Sequence, residues 1–231
     1  MINFENTKTR LYEKFIRDIA NSIVQRIDYE KLDKESKSFL TKTKERLRFD
    51  SDKGWKFLTS SLDTLGDSQF AIVTFINHKI ENKNKFNTGE NYLRLYGLLS
   101  AVYIQQQAIL KLSDLFKTGQ IDSLKKDFDN LKITFLRHCI SAHPVNYESN
   151  RVKVSFKIDR NSLNDNGLLS IRNESNNAEF YNVFETLDEY IMMTEKCLEI
   201  ICQKMISNCY NSAKAKWDEL NDELRKIKNS R

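Results

Sequence analysis

The sequence predicts an all-α protein, an antiparallel helical bundle with a small β-hairpin inserted before a long C-terminal helix. Three observations carry that expectation. One proline and six glycines in 231 residues leave helices almost uninterrupted. Apolar residues recur at helical spacing along most of the chain. Only Val152 to Asp159 alternates apolar and polar residues with the two-residue period of a strand.

The elements follow in order. Leu11, Phe15, Ile19, Ile23 and Ile27 fall at four-residue steps and predict a first helix over Phe4 to Asp28. A lysine-rich polar helix or loop continues to Lys53. Gly54 then opens a second apolar segment from Trp55 to Ile76, with an interruption expected near Gly66. Asn82 to Gly89 is a polar break. From Glu90 to Lys117 apolar residues cover nearly the whole helical circumference, which predicts a central helix buried on every side.

Gly119 is a stop signal, and Asp122 is placed to cap a helix running from Ser123 to Ala142. On that helix Leu124, Phe128, Leu131, Phe135, Cys139 and Ala142 form one stripe, while Ile133, Leu136 and Ile140 form a second, nearly opposite. The second stripe needs a cover, either another helix of the same chain or a second copy of the protein. Pro144 disfavours helical geometry at His143 and ends the helix there. After the alternating strand, Asn161 to Gly167 is turn-rich and Leu168 to Arg172 returns as the second strand of the hairpin. A helix or helix pair runs from about Ala178 to the C-terminus. No internal repeat or linker divides the chain, so a single domain over 1–231 is expected.

Composition narrows the function classes. Too many Leu, Ile, Phe and Tyr are present for global disorder, and no apolar run reaches the roughly 18 residues of a membrane span. The N-terminus lacks the apolar core of a secretory signal, which places the protein in the cytoplasm. Cys139, Cys197, Cys202 and Cys209 contain no C-x-x-C pair and read as buried free thiols. With three histidines and no zinc-type spacing, no metal or cofactor is expected. The net charge of +5 is modest but unevenly spread. Residues 131 to 160 hold six basic side chains against two acidic, and residues 178 to 200 hold one lysine against six carboxylates. A basic middle of this kind permits an anionic ligand.

Within that middle, Arg137, His138 and His143 stand close together near a helix end. On an ideal helix Arg137 and His143 lie about 120° apart, so they share a face only if the last turn unwinds, for which Pro144 supplies a reason. A histidine near its ordinary pKa of about 6.5 can exchange a proton with a ribose 2′-hydroxyl or a leaving oxygen. An arginine fork can neutralise phosphate oxygens as charge builds. The 2′-hydroxyl is an internal nucleophile, so this chemistry calls for no metal. The same residues also admit plainer roles: Arg137 as an ion-pair partner, His143 as a helix C-terminal cap, and His138 as a satisfied core histidine. Gln105 to Gln107 read as buried amides bonded to neighbouring helices, Phe156 as a core residue, and Lys153 and Lys157 as a solvated face.

The segment Leu136-Arg137-His138 to Ala142-His143-Pro144 resembles the R-x(4–6)-H signature of the HEPN superfamily of helical ribonucleases. The run Tyr96-Gly97 to Gln105-Gln106-Gln107 is similar to the core helix of some bacterial members, and the hairpin after His143 has counterparts there. The likeness covers about residues 55–205 and leaves 1–53 as a helical extension. It implies a metal-independent endoribonuclease acting on RNA as a homodimer, with two Arg/His motifs meeting in one cleft. Arg137 would stabilise the transition state, His143 would act as general acid or base, and His138 would orient the phosphate. It also implies a toxin or antiviral defence effector, with an antitoxin or other defence protein as partner. Members silenced by tyrosine modification carry that tyrosine two residues after the motif histidine. Here Val145 holds the position and Tyr147 follows two residues later. Inactive members exist, so the alternative is an idle helical module that binds a partner protein or nucleotide.

Overall fold

The computed structural model describes residues 1–28, 38–78, 88–119, 121–149, 152–159, 162–163 and 167–230. Part of the lysine-rich stretch (29–37), most of the polar break (82–87), residues 161 and 164–166 of the expected turn, and Arg151 and Arg160 of the basic middle lie outside them. Among the described residues there are eight α-helices and two small antiparallel sheets, so the fold is mainly α with a small β insertion. No helix among them is long and apolar enough to cross a membrane.

The chain forms two compact units. One comprises Met1–Ile2, Ser68–Gln105 and Ser123–Met193; the other comprises Asn3–Asp67, Gln106–Asp122 and Thr194–Arg231. In the second of these, α1 (Lys8–Val24) starts where Thr7, in extended backbone, accepts the Arg10 amide hydrogen on its hydroxyl at 3.4 Å. It buries Tyr12, Phe15, Ile16, Ile19 and Ile23, in keeping with the four-residue apolar steps. Glu13 on the same helix is fully buried, and its carboxylate is held by Arg10 and by Arg17 at 2.7 Å. Such a charge is tolerable inside only because both oxygens are satisfied. Helix α2 (Phe39–Leu47), capped by Ser38, ends at Arg48 in left-handed backbone (φ 58°). The C-terminal segment is a helix pair, α7 (Val183–Tyr210) and α8 (Lys214–Asn229).

Helix α3 (Gly54–His78) runs unbroken through Gly66, against the interruption expected there. Leu62, Leu65 and Ser68 around it are buried, and that burial outweighs the roughly 1 kcal/mol a helical glycine costs. Helix α4 (Thr88–Phe116) stops at Lys117 in left-handed backbone (φ 57°). It is not buried on every side. Leu93 is 67% exposed, Tyr96 42% and Ile104 41%. Its apolar circumference therefore leaves one face in solvent.

In the unit that holds residues 123–193, Gln105 donates to Gln69 at 3.2 Å and Tyr190 donates to Gln105 at 2.8 Å, all three buried. This bears out Gln105 as a buried amide and also buries Gln106, while Gln107 is exposed.

The expected Ser123–Ala142 helix is broken. Helix α5 (Ile121–Asp129) begins earlier, placing Asp122 inside its first turn rather than at the cap, and Leu131 in extended backbone separates it from α6 (Lys132–Arg137). A π-helical turn, His138–Ala142, completes the segment. The break re-aims the apolar stripes: Ile133 and Leu136 are 0% exposed and Ile140 4%, while Leu131 and Phe135 are half-buried. The second stripe is thus covered by its own chain, which removes the ground for assigning it to a second copy.

The β insertion also differs in detail. Strand β1 (Tyr147–Ser149) pairs with β2 (Val152–Val154), and β3 (Phe156–Ile158), β4 (Leu168–Asn173) and β5 (Ala178–Asn182) form a meander. The alternating strand is split at Ser155 because its two halves bond to different sheets. The hairpin pairs β3 with β4 as expected, but Ala178–Asn182 is a strand and not the start of a helix. Asn182 accepts the amide hydrogen of Phe184 at 3.0 Å, so the helix begins only after it. Gly167 (φ 73°) turns the chain into β4, where a Cβ would stand 2.5 Å from the Phe184 ring.

If the second stripe is core, Leu136→Ala should destabilise the fold by about 2–5 kcal/mol in urea melts. A cost below about 1 kcal/mol would place Leu136 outside the core.

Candidate functional site

Arg137 is the last residue of α6, and His138 opens the π turn. That turn is closed by the His143 amide hydrogen donating to the His138 carbonyl at 2.8 Å, a span of five residues. On an α-helix residues five apart point about 140° away from each other. The wider π turn sets them above one another. The rings of His138 and His143 accordingly lie parallel, 12° between planes and 5.7 Å between centroids. The Ser141 hydroxyl donates to the Arg137 carbonyl at 3.1 Å, and Pro144 lacks the amide hydrogen that would extend the turn. The Pro144 carbonyl instead accepts the amide hydrogen of Phe156 at 2.6 Å, tying the helix end to β3.

The guanidinium of Arg137 lies 3.6 Å above the Tyr103 ring, a cation–π contact. Among the described residues no carboxylate pairs with it, so its role as an ion-pair residue does not hold. Elsewhere in the basic middle, Lys132 pairs with Glu189 at 3.4 Å, and Asp159 is paired by Arg172 of β4 at 3.3 Å. Arg137, Lys153 and Lys157 form no ion pair among the described residues, and both lysines are exposed. His143 does take the cap position through its backbone, and its imidazole is exposed.

His138 is half-buried, and among the described residues its Nδ1 has no hydrogen-bond partner, so it does not fit a satisfied core histidine. Burial first, then Arg137 and then His143, hold its pKa below the usual histidine value. Burial pushes the Cys139 thiol up to about 12, which removes it as a thiolate nucleophile. Cys197 and Cys202 are buried free thiols as expected, and Cys209 is only half-buried. Among the described residues no three His, Cys, Asp or Glu side chains gather into a metal set.

Aromatic rings continue from the histidines into the β insertion. His138 lies 5.9 Å from Tyr147, Tyr147 lies 5.7 Å from Phe156, and Phe135 contacts both at 5.8–5.9 Å. Beside them is a cavity of about 560 Å³, walled by Tyr92 and Tyr96 of α4, Ile140 and Pro144 of the helix end, and Phe156 and Lys157 of β3. The structure thus stacks His138 with His143, sets Arg137 on Tyr103 at the preceding position, and adds Tyr92, Tyr96, Tyr103 and Tyr147, which sequence reasoning missed. A signal for three of these was present: residues 92, 96 and 103 fall within about 40° on one helix face.

The chain matches no protein-family model, no curated protein and no solved structure.

The depressed pKa of His138 has a consequence for stability. Below about pH 6.5 the unfolded chain binds this proton more readily than the folded one, so stability falls as pH drops from there through the folded pKa. Melting temperatures at pH 7.5 and 5.5 should therefore fall less in His138→Gln than in the parent protein. Equal losses would show that His138 titrates normally.

Proposed function

We propose that the chain is a metal-independent endoribonuclease of the HEPN type. The observation that carries this reading is the π turn, which stacks two imidazoles directly after an arginine that has no carboxylate partner among the described residues. In the reaction, an imidazole takes the proton of a ribose 2′-hydroxyl and the oxygen attacks the adjacent phosphorus. The 5′-oxygen leaves with a proton returned by an imidazole, and a 2′,3′-cyclic phosphate remains. His143, with its ring in solvent, is the general acid or base. His138 stacks on it, fixes its orientation and positions the phosphate. Arg137 offers its N–H fork to the phosphate oxygens as negative charge builds.

The homodimer that goes with this reading cannot use Ile133, Leu136 and Ile140, which are buried in their own chain. We assign it to the exposed face of α4, where Leu93 and Ile104 stand in solvent on the same helix that supports Arg137. Such a face would bring two copies of the site toward each other. The toxin or defence role, and an antitoxin-like partner, follow from the resemblance. One observation favours the idle-module alternative: the Tyr103 ring already occupies one face of the Arg137 guanidinium, as it would in a purely structural contact.

The two readings part on RNA turnover in EDTA. Purified protein should cleave single-stranded RNA, with His143→Ala slower by about 10²–10⁴-fold and Arg137→Ala by about 10²–10³-fold. Unchanged turnover in both folded variants defeats the nuclease reading. For the dimer, light scattering at tens of micromolar should report two copies for the parent and one for Leu93→Glu. A parent monomer at that concentration removes the dimer.

A further inference from the structure

We propose that the cavity beside the helix end is a subsite for one unstacked base of single-stranded RNA, held by ring stacking and by a lysine on its phosphate. The proposal rests on the ribonuclease reading for the polymer it names. Its geometry stands separately.

The walls of the cavity are chiefly aromatic and apolar. Tyr92 and Tyr96, four residues apart on α4 with ring centroids 6.0 Å apart, form one side. Phe156 of β3, with Pro144 and Ile140, forms another. The volume of about 560 Å³ falls in the roughly 300–1,000 Å³ range of small-ligand sites. Tyr96 is an aromatic left substantially in solvent, where it gains nothing from core packing. Base stacking on such rings is a general mode of single-strand recognition, tolerant of sequence because every base has a flat face.

Charge is placed to match. Lys157 follows Phe156 in the strand, lines the cavity, is exposed, and forms no ion pair among the described residues. A base against the rings would leave its phosphate at the rim, and Lys157 in the lining supplies a cation for it. The cavity lining also adjoins the proposed catalytic groups along the chain and through ring contacts. Pro144 directly follows His143, and Phe156 connects through Tyr147 to His138 by ring contacts of 5.7 and 5.9 Å. A base seated here holds the neighbouring phosphodiester beside the histidines. In duplex RNA the bases are stacked within the helix and cannot enter, so the subsite selects single strands.

Fluorescence anisotropy with a labelled, fully 2′-O-methylated single strand, which cannot be cleaved through its 2′-hydroxyls, tests this on the full chain. The same strand with abasic sugars and the corresponding duplex are the comparisons. The parent protein should prefer the base-bearing strand to the abasic strand by about 5- to 100-fold. Tyr96→Ala should lose most of that preference and Tyr96→Phe should keep it. Lys157→Ala should weaken both strands alike and reduce the salt slope by about 0.7.

Equal binding of base-bearing and abasic strands overturns the subsite, as does an unchanged preference in folded Tyr96→Ala or equal binding of the duplex. Cleavage of unmodified RNA separates this proposal from the reading beneath it. Base-dependent, Tyr96-dependent binding with no cleavage supports the subsite and defeats the nuclease. Cleavage dependent on His143 without any base preference defeats the subsite alone.

Discussion

The hydrogen bond from the His143 amide to the His138 carbonyl sets the geometry of everything near it. By closing a five-residue turn it converts a sequence spacing that separates two imidazoles into one that stacks them. Pro144 makes the arrangement terminal, since the chain has no further amide hydrogen to offer and must leave the helix. The Pro144 carbonyl then becomes the anchor for β3, so one backbone irregularity orients both the histidines and the strand that carries Phe156 and Lys157.

The contact between Arg137 and Tyr103 shows how a cation can be positioned without being neutralised. An ion pair would hold the side chain as firmly, but it would spend the N–H donors that a phosphate needs. The face of a tyrosine orients the guanidinium plane and leaves its edge donors unused. Burial first, and then the neighbouring Arg137, lower the proton affinity of the half-buried His138 ring.

Much of this architecture was legible in the residues. The four-residue apolar steps placed α1, the uninterrupted apolar run placed α4, and the alternation around Phe156 placed the hairpin of β3 and β4. The three motif residues also fall where a helix-ending proline suggested. Less legible were the elements that depend on tertiary partners. Leu131 sits in a helical pattern yet adopts extended backbone, and nothing local in Asn130-Leu131-Lys132 announces that break. Ala178–Asn182 carries no strong strand signal and is a strand because β4 pairs with it. The exposure of Leu93 and Ile104 is a further case, since periodicity cannot tell a helix surrounded by neighbours from one that lacks a neighbour on a single side. The stacked histidines were hidden by the assumption of α geometry, from which a π turn departs by one residue.

The buried chain of Gln69, Gln105 and Tyr190 joins α3, α4 and α7 through donors and acceptors that have no water to fall back on. Apolar contacts between the same helices would tolerate a slip of one turn; amide and phenol partners would not. Tyr103 stands two residues before Gln105 on α4. The three-residue latch therefore indexes that helix lengthwise, so the aromatic platform beneath the arginine is held at a fixed height by a polar lock rather than by oil.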